Sequence, residues 1–324
     1  LHVRSRRQRQ MCIRDSACAS QTSSPDIDNR DSTPPAKTGW QVENSTLSSD
    51  KATFIKQVSN RYNIPKSFVE DMLARAQINN RAIALMSPKK TSSIKRHWPT
   101  YRNRFVEPIR IRKGTAFWHN NQSTLAAAEK HYGVPAAIIA GIIGVETVYG
   151  EQMGNFSVLD ALYSLGFYHP DPSRPEKAQM FRNQLAALIE LTHKGKFDGF
   201  SALGSFAGAS GLGQFMPISI LHYGVDADKD GKVDLRNSTK DAIYSVANFL
   251  SQHGWQANMP VFAPARLPSS PARLVNGGLE PSMSWQELQN QGATTSAQGQ
   301  AWQHGKNLGV IDLKDEVNGN TEYR

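Results

Sequence analysis

Residues Gly133 to Gly150, Gly-Val-Pro-Ala-Ala-Ile-Ile-Ala-Gly-Ile-Ile-Gly-Val-Glu-Thr-Val-Tyr-Gly, constrain the fold more than any other stretch of the chain. Pro135 suits the first turn of a helix, where its missing N–H is not needed. Ile138, Ile139, Ile142, Ile143 and Val145 then give that helix an apolar surface that belongs inside a core. Gly141 and Gly144 on the same helix allow a backbone or a ligand to come close, although each costs roughly 1 kcal/mol of helix propensity. One carboxylate, Glu146, ends the run. A Glu in apolar surroundings is desolvated, which raises its pKa and lets it hold a proton near neutral pH for delivery to a leaving group. The alternative is a Glu near a helix end paired with a surface Lys or Arg.

The chain has 324 residues, 39% hydrophobic and 20% charged, enough for one large domain or two to three lobes with cores of their own. No run approaches the roughly 18 apolar residues of a membrane-spanning helix. A net charge of +9 fits a solvated basic surface or an anionic polymer partner, either nucleic acid or an acidic glycan. No basic motif with interleaved aromatics and no zinc-finger spacing is present, so the expectation is no nucleic acid. Cys12 and Cys18 are the only cysteines, which excludes a disulfide framework or a cysteine metal site.

Residues 1–48 read as a disordered leader. Residues 1–17 are basic and lack both apolar periodicity and the apolar region of a secretory signal, as a non-native start would. Ser16-Ala17-Cys18 followed by a Ser/Thr-rich tether resembles a bacterial lipoprotein processing site with Cys18 as the lipidated residue, although Asp15 stands where an apolar residue is expected. The alternative is a cysteine in a disordered tail. Residues 49–120 read as an N-terminal helical lobe. Asp50 caps a helix carrying Phe54, Ile55 and Val58, and Pro65 opens a second with Phe68, Met72 and Leu73. A polar connection over 87–100 leads to Trp98 and Tyr101, aromatics that either plug a core or stack on sugars, and a further helix is expected from about Phe117 to Tyr132.

Residues 121–258 read as the catalytic core. After the central helix, 158–167 is a second buried helix and 178–193 an amphipathic one. Gly204-Ser-Phe-Ala-Gly-Ala-Ser-Gly-Leu-Gly-Gln-Phe-Met-Pro217 is dense enough in glycine to mark close backbone approach. It is not a nucleophile elbow, because Leu212 occupies the place of the second glycine, and no P-loop lysine is present. Residues 226–234 place Asp226, Asp228, Asp230 and Asp234 at positions 1, 3, 5 and 9 with Gly231 at 6, the front half of an EF-hand loop. Position 12 is Asn237, so a closing carboxylate would have to be Asp241. This reads as a cation site that staples the loop, the alternative being a solvated acidic turn. A helix over 240–253 ends at Gly254, and 259–324 form a small loop-rich lobe around Trp285, Leu288, Trp302 and Leu308.

Five motifs in order, Gly-Ile-Ile-Gly-Val-Glu-Thr at 141–147, Gly-Ser-Phe-Ala-Gly-Ala at 204–209, Gly-Gln-Phe-Met-Pro at 213–217, the Asp-rich loop, and Asp241-Ala-Ile-Tyr-Ser-Val-Ala-Asn248, resemble the lytic murein transglycosylase B family of Gram-negative bacteria over about residues 50–323. The resemblance implies a mainly α (α+β) fold: a lysozyme-like helical core, an added helical lobe, and a small β-containing lobe, with an EF-hand-like loop at 226–241. It implies cleavage of the β-1,4 bond between N-acetylmuramic acid and N-acetylglucosamine in peptidoglycan, the muramyl 6-hydroxyl replacing water to leave a 1,6-anhydro sugar. Glu146 matches the single catalytic acid/base, and Ser205 the serine that holds the muramyl N-acetyl group. Gln214 and Tyr101 match residues of the glycan cleft, and Asp226, Asp228, Asp230, the Lys232 carbonyl and Asp241 the ligands of a structural Ca2+. No cofactor is implied for the chemistry. The expected partners are peptidoglycan strands and, through a lipid anchor, the periplasmic face of the outer membrane, with the protein a monomer.

The residues are consistent with that chemistry on their own account. An ordinary glycosidase needs two carboxylates about 5.5 Å or about 6.5–9.5 Å apart, according to stereochemistry. Here one plausible buried acid stands without an obvious partner, Asp160 reading as a structural hydrogen-bonding group. A lone acid suffices where the substrate's own acetamido group is the nucleophile. Three departures from the family are visible. Phe249 replaces a cleft tyrosine, keeping a stacking ring and losing a hydroxyl. The loop between Asp230 and Asp241 is one residue longer, and a C-terminal segment carrying a Tyr-Asn pair does not follow Tyr323, as in a truncated reading frame. The alternatives are a muramidase of the same fold that uses water, and a non-catalytic peptidoglycan-binding protein.

Overall fold

The computed structural model describes residues 46–88, 95–277, 280–296, 299 and 301–324. The expected leader lies almost wholly outside the described residues, Cys18 with it. Helices α1 (Lys51–Tyr62), α2 (Lys66–Arg75), α3 (Asn80–Met86), α4 (Trp98–Asn103), α5 (Pro108–Asn120), α6 (Gln122–Tyr132) and α7 (Ala136–Thr147) come first. Strand β1 (Phe156–Ser157), α8 (Val158–Phe167), α9 (Pro175–His193), β2 (Leu203–Gly204), α10 (Pro217–Tyr223) and α11 (Thr239–Gln252) follow. The chain closes with β3 (Ala265–Arg266), a 3-10 turn at Pro271–Leu274, α12 (Trp285–Asn290), β4 (Thr294–Thr295), β5 (Asp312–Asp315) and β6 (Asn320–Tyr323). The mainly helical expectation holds, and among the described residues the sheets are three antiparallel pairs, β1–β2, β3–β4 and β5–β6.

Local signals account for many helix boundaries. Asp50 caps α1 by accepting the Thr53 N–H at 2.8 Å, Pro65 precedes α2, and Pro175 sits in the first turn of α9. The helix expected over 117–132 is instead two helices. Asn121 leaves helical geometry at φ −121° and ψ 17°, its side-chain amide donating to the Phe117 carbonyl at 2.8 Å in competition with the backbone pattern.

The chain packs as two units. The first comprises the described residues up to 88 together with Gly114–Trp255, and the second those from 95 to Lys113 together with Gln256–Arg324. This partition crosses the expected boundary at 120. Phe54, Val58, Val69 and Met72 of α1 and α2 are buried in one cluster with Leu162, Leu165, Phe181 and Leu185 of α8 and α9, so those helices share the core of the first unit. Asp160 is the structural group expected of it, accepting the Gln77 N–H at 2.8 Å. A second cluster of this unit joins Ile139 and Ile143 of α7 to Leu125, Phe215, Leu235, Ile243 and Val246.

In the second unit a smaller core forms around Leu274, Leu288, Ala293 and Val310, with Trp285 and Leu308 packed against it. Trp302, expected in this core, instead donates its indole N–H to the Lys306 carbonyl at 3.1 Å and lies beside His304. A cleft of about 870 Å³ in this unit is lined by Phe262, Leu267, Trp285 and Trp302 among others, and by none of the predicted site residues.

Candidate active site

Pro135, at φ −56° and ψ 134°, immediately precedes helix α7, which buries Ala136, Ile139, Ala140 and Ile143. Its last turn faces two ways: Val145 is exposed, Glu146 half-buried and Thr147 fully buried. The turn that follows is held in left-handed geometry without glycine, at φ +55° for Val148 and +58° for Tyr149. A β-branched residue there is a true outlier, and each such residue costs on the order of 1–3 kcal/mol, so the surroundings must impose it. The Tyr149 ring supplies part of the constraint. It fills the space over Gly144 and Gly114, where a methyl group would overlap it, and packs on Phe117 with centroids 5.2 Å apart. Gly144 is therefore a seat for this ring, whereas Gly141 is exposed and meets nothing.

Thr147 supplies the rest of the constraint. Its hydroxyl lies 2.9 Å from the Leu212 carbonyl and 3.2 Å from that of Ile143, and accepts the Gly150 N–H at 3.0 Å. A hydroxyl has one hydrogen, and the shorter distance assigns it to Leu212. The end of α7 is thereby bound to the glycine-rich loop. The loop is in turn packed on its own backbone. A Cβ on Gly154 would strike the Gly204 carbonyl, and one on Gly204 the Ala209 carbonyl. The close approach expected of these glycines is thus largely made by the protein itself.

Ser205 follows β2 and is 1% exposed. Its N–H donates to the Ala209 carbonyl at 2.7 Å, and its Oγ accepts the N–H groups of Ala207 and Ala209 at 3.3 and 3.0 Å. With the oxygen's acceptor capacity used, the hydroxyl hydrogen is what Ser205 offers to a ligand. Gln214 is also buried, at 4% exposure, with φ +54°. Its amide donates to the carbonyls of Gly211 and Met153 at 2.9 and 3.2 Å, which leaves its Oε1 as the group able to receive a donor. In the first unit Thr147, next to Glu146, is thus hydrogen-bonded to the loop that carries both Ser205 and Gln214. Phe249 sits in an aromatic cluster instead of standing alone, stacked on His253 at 4.0 Å and edge-on to Phe215 and Tyr223. Tyr101 belongs to the second unit, 41% exposed and stacked on Trp98 with centroids 6.0 Å apart.

The Asp-rich loop brings ligand oxygens of Asp226, Asp228 and Asp230 within 4.8 Å of one another, with Gly231 at φ +97°. This is a hard-oxygen set of the kind calcium takes. The Ser238 hydroxyl hydrogen bond holds the Asp228 carboxyl below its ordinary pKa. Asp241, 1% exposed, is not one of the three carboxylates brought that close. One of its oxygens accepts the N–H groups of Ala227 and Asp228 at 2.9 and 3.4 Å, the other that of Asp234 at 2.9 Å, and burial raises its pKa. It ties the two ends of the loop together through their backbone.

A family profile described as the transglycosylase SLT domain matches residues 46–321. The chain belongs to this family. It is 36% identical over 209 residues to membrane-bound lytic murein transglycosylase B of Escherichia coli K12, an overlap of 62% of this chain and 56% of that protein. The chain therefore matches little more than half the length of that relative. Among solved structures of lytic transglycosylases, SltB1 of Pseudomonas aeruginosa is 34% identical with a TM-score of 0.74, covering 84% of this chain and 86% of its own. Slt35 of Escherichia coli, in complex with calcium, is 31% identical with a TM-score of 0.66, covering 84% and 82%. The lysozyme-like helical architecture is thus that of the SLT transglycosylases.

Two residues of the framework escaped the sequence reading. Thr147 carries a weak signal, a hydroxyl next to Glu146 on an otherwise apolar helix. Arg236 carries none: its Nη1 reaches the Gly154 carbonyl at 3.2 Å and the Leu203 carbonyl at 3.4 Å, contacts that only the folded chain creates. Among the described residues no helix is long and apolar enough to cross a membrane.

Proposed function

We propose that the chain is a lytic transglycosylase that cleaves the β-1,4 bond between N-acetylmuramic acid and N-acetylglucosamine in peptidoglycan. The observation that carries this reading is the placement of Glu146 at the end of an apolar helix that Thr147 binds to the loop holding Ser205. Glu146 protonates the glycosidic oxygen as its bond to the anomeric carbon breaks, and the muramyl acetamido oxygen closes on that carbon. The Glu146 carboxylate then takes the proton of the muramyl 6-hydroxyl, whose oxygen attacks the anomeric carbon and reopens the acetamido ring. The product is a 1,6-anhydro sugar, Glu146 regains its proton, and no water is consumed.

In this scheme the Ser205 hydroxyl donates to the acetamido carbonyl and sets its angle of approach. Holding reactants in this way can remove up to about 7–11 kcal/mol of barrier. Gln214 Oε1 and Phe249 serve the glycan strand. Asp226, Asp228, Asp230 and the Lys232 carbonyl would hold a calcium ion that keeps the loop ordered, and the calcium complex of Slt35 supports this reading. Asp241 acts as the hydrogen-bonding closure of that loop. The name of the Escherichia coli relative supports action on murein at a membrane. In this reading Cys18 is the point of lipid attachment and the periplasm the compartment. Glu146→Gln is the direct test: it is expected to abolish clearing of a suspension of purified sacculi while leaving sacculus binding nearly intact. Retained clearing would mean that another group is the acid. A wild-type protein that binds without clearing would be a peptidoglycan-binding protein.

A further inference from the structure

Arg236 stands at a junction that the chemistry above does not use. Its guanidinium Nη1 donates to Gly154 and Leu203, whose carbonyls lie on the two backbone segments enclosing Ser205. Leu203 is in β2, two residues before Ser205, and its carbonyl also accepts the Ser210 hydroxyl at 3.0 Å. Gly154 abuts the other side, so close that a methyl group on it would overlap the Gly204 carbonyl and approach the Ser205 amide nitrogen to 2.8 Å. The backbone of Arg236 belongs to the exit of the Asp-rich loop. Its N–H donates to Asp234 Oδ1 at 3.0 Å, and the Asp234 N–H donates to Asp241 Oδ2 at 2.9 Å. Beside it, the Leu235 carbonyl accepts the Leu212 N–H at 2.8 Å. Leu212 is the same residue whose carbonyl receives the Thr147 hydroxyl next to Glu146.

We infer that Arg236 is a positioning residue that fixes the backbone around Ser205 and makes the fit of an acetamido sugar depend on the order of the Asp-rich loop. The inference rests on the proposed role of Ser205. The physical warrant is an unbroken chain of hydrogen bonds from the loop to the Ser205 cradle, with one cationic side chain bridging both walls. Exposed surface arginines contribute little. Arg236 is half-buried and engages two backbone carbonyls at once, a geometry that a flexible lysine cannot fully reproduce.

The test uses tri-N-acetylchitotriose as the acetamido-sugar probe and calorimetric binding in a Glu146→Gln background, so that no turnover intervenes. Arg236→Met is expected to weaken chitotriose binding about tenfold, the size of a lost charge-assisted hydrogen bond. Arg236→Lys should recover part of that loss. Removing calcium with EGTA should weaken binding where Arg236 is present and change it little in Arg236→Met, a non-additive pattern that a merely structural arginine does not produce. Melting curves of each variant check folding, and the lysine variant carries the test if the methionine variant fails to fold. Unchanged chitotriose affinity in Arg236→Met, or an equal effect of EGTA with and without the arginine, would overturn the inference while leaving the transglycosylase reading in place. A parent protein that binds no chitotriose and releases no anhydro-muropeptides would overturn that reading itself.

Discussion

Replacing Thr147 by valine tests the framework without touching a group that meets substrate. The substitution preserves shape and volume and deletes one hydroxyl at a position with 0% exposure. The Leu212 carbonyl, on a buried residue, loses its donor at 2.9 Å, and the half-buried Gly150 N–H loses its acceptor at 3.0 Å. An unmet buried polar partner costs about 1–3 kcal/mol, and the partial exposure of Gly150 puts its share at the low end, so the sum is about 2–4 kcal/mol. For a chain of 324 residues, at about 2.1 cal/mol/K of unfolding entropy per residue, that lowers Tm by about 3–6 °C. Thr147→Ser keeps the hydroxyl and loses one buried methyl group, worth about 1 kcal/mol. Calorimetric melting of the three proteins should therefore rank wild type, then serine, then valine. Clearing of sacculi by Thr147→Val should fall at temperatures where the protein is still folded, because the turn after Glu146 loses its tie to the loop. A valine variant that melts with or above the serine variant would refute the assignment of these hydrogen bonds.

The two glycines of α7 separate by the same logic. Gly144→Ala is expected to destabilise by about 1–3 kcal/mol, since its methyl group overlaps the Tyr149 ring. Gly141→Ala, open to solvent, should stabilise by about 0.5–1 kcal/mol, and thermal melting of both reads the sign directly. His169 gives a pH prediction. Burial lowers its pKa below the ordinary 6.5, and its Nε2 has no hydrogen-bond partner among the described residues. The folded state therefore binds fewer protons than the unfolded chain just below pH 6.5, and the stability this neutral imidazole contributes is lost as pH falls through that window. His169→Gln should flatten the fall in Tm between about pH 7 and pH 5.5, and an unchanged slope would show that other groups set it.

Much of the helical pattern was legible because it is written locally. Asp50 and Pro65 mark helix starts through side-chain and backbone chemistry that reaches only a few residues, whereas the helix expected from 178 begins three residues earlier, at Pro175. The apolar face of α7 and the density of glycine after Gly204 likewise announced a buried helix and close backbone contact. The remainder depends on partners distant in sequence. Thr147 meets Leu212 and Arg236 meets Gly154 across 65 and 82 residues, and periodicity records which face is apolar without recording what that face meets. For the same reason Gly141 and Gly144 read alike in the sequence, and only the fold distinguishes an open surface from the seat of Tyr149. The unit boundary near 113 was hidden because it falls within α5, where no turn or linker marks it.

The central claim is that one carboxyl group suffices because the sugar supplies its own nucleophiles. Mass analysis of the fragments released from purified sacculi examines this most directly. The account predicts muropeptides one water lighter than hydrolytic products, formed by the wild-type protein and absent with Glu146→Gln. Fragments ending only in reducing muramic acid would contradict it and identify a hydrolase of the same fold.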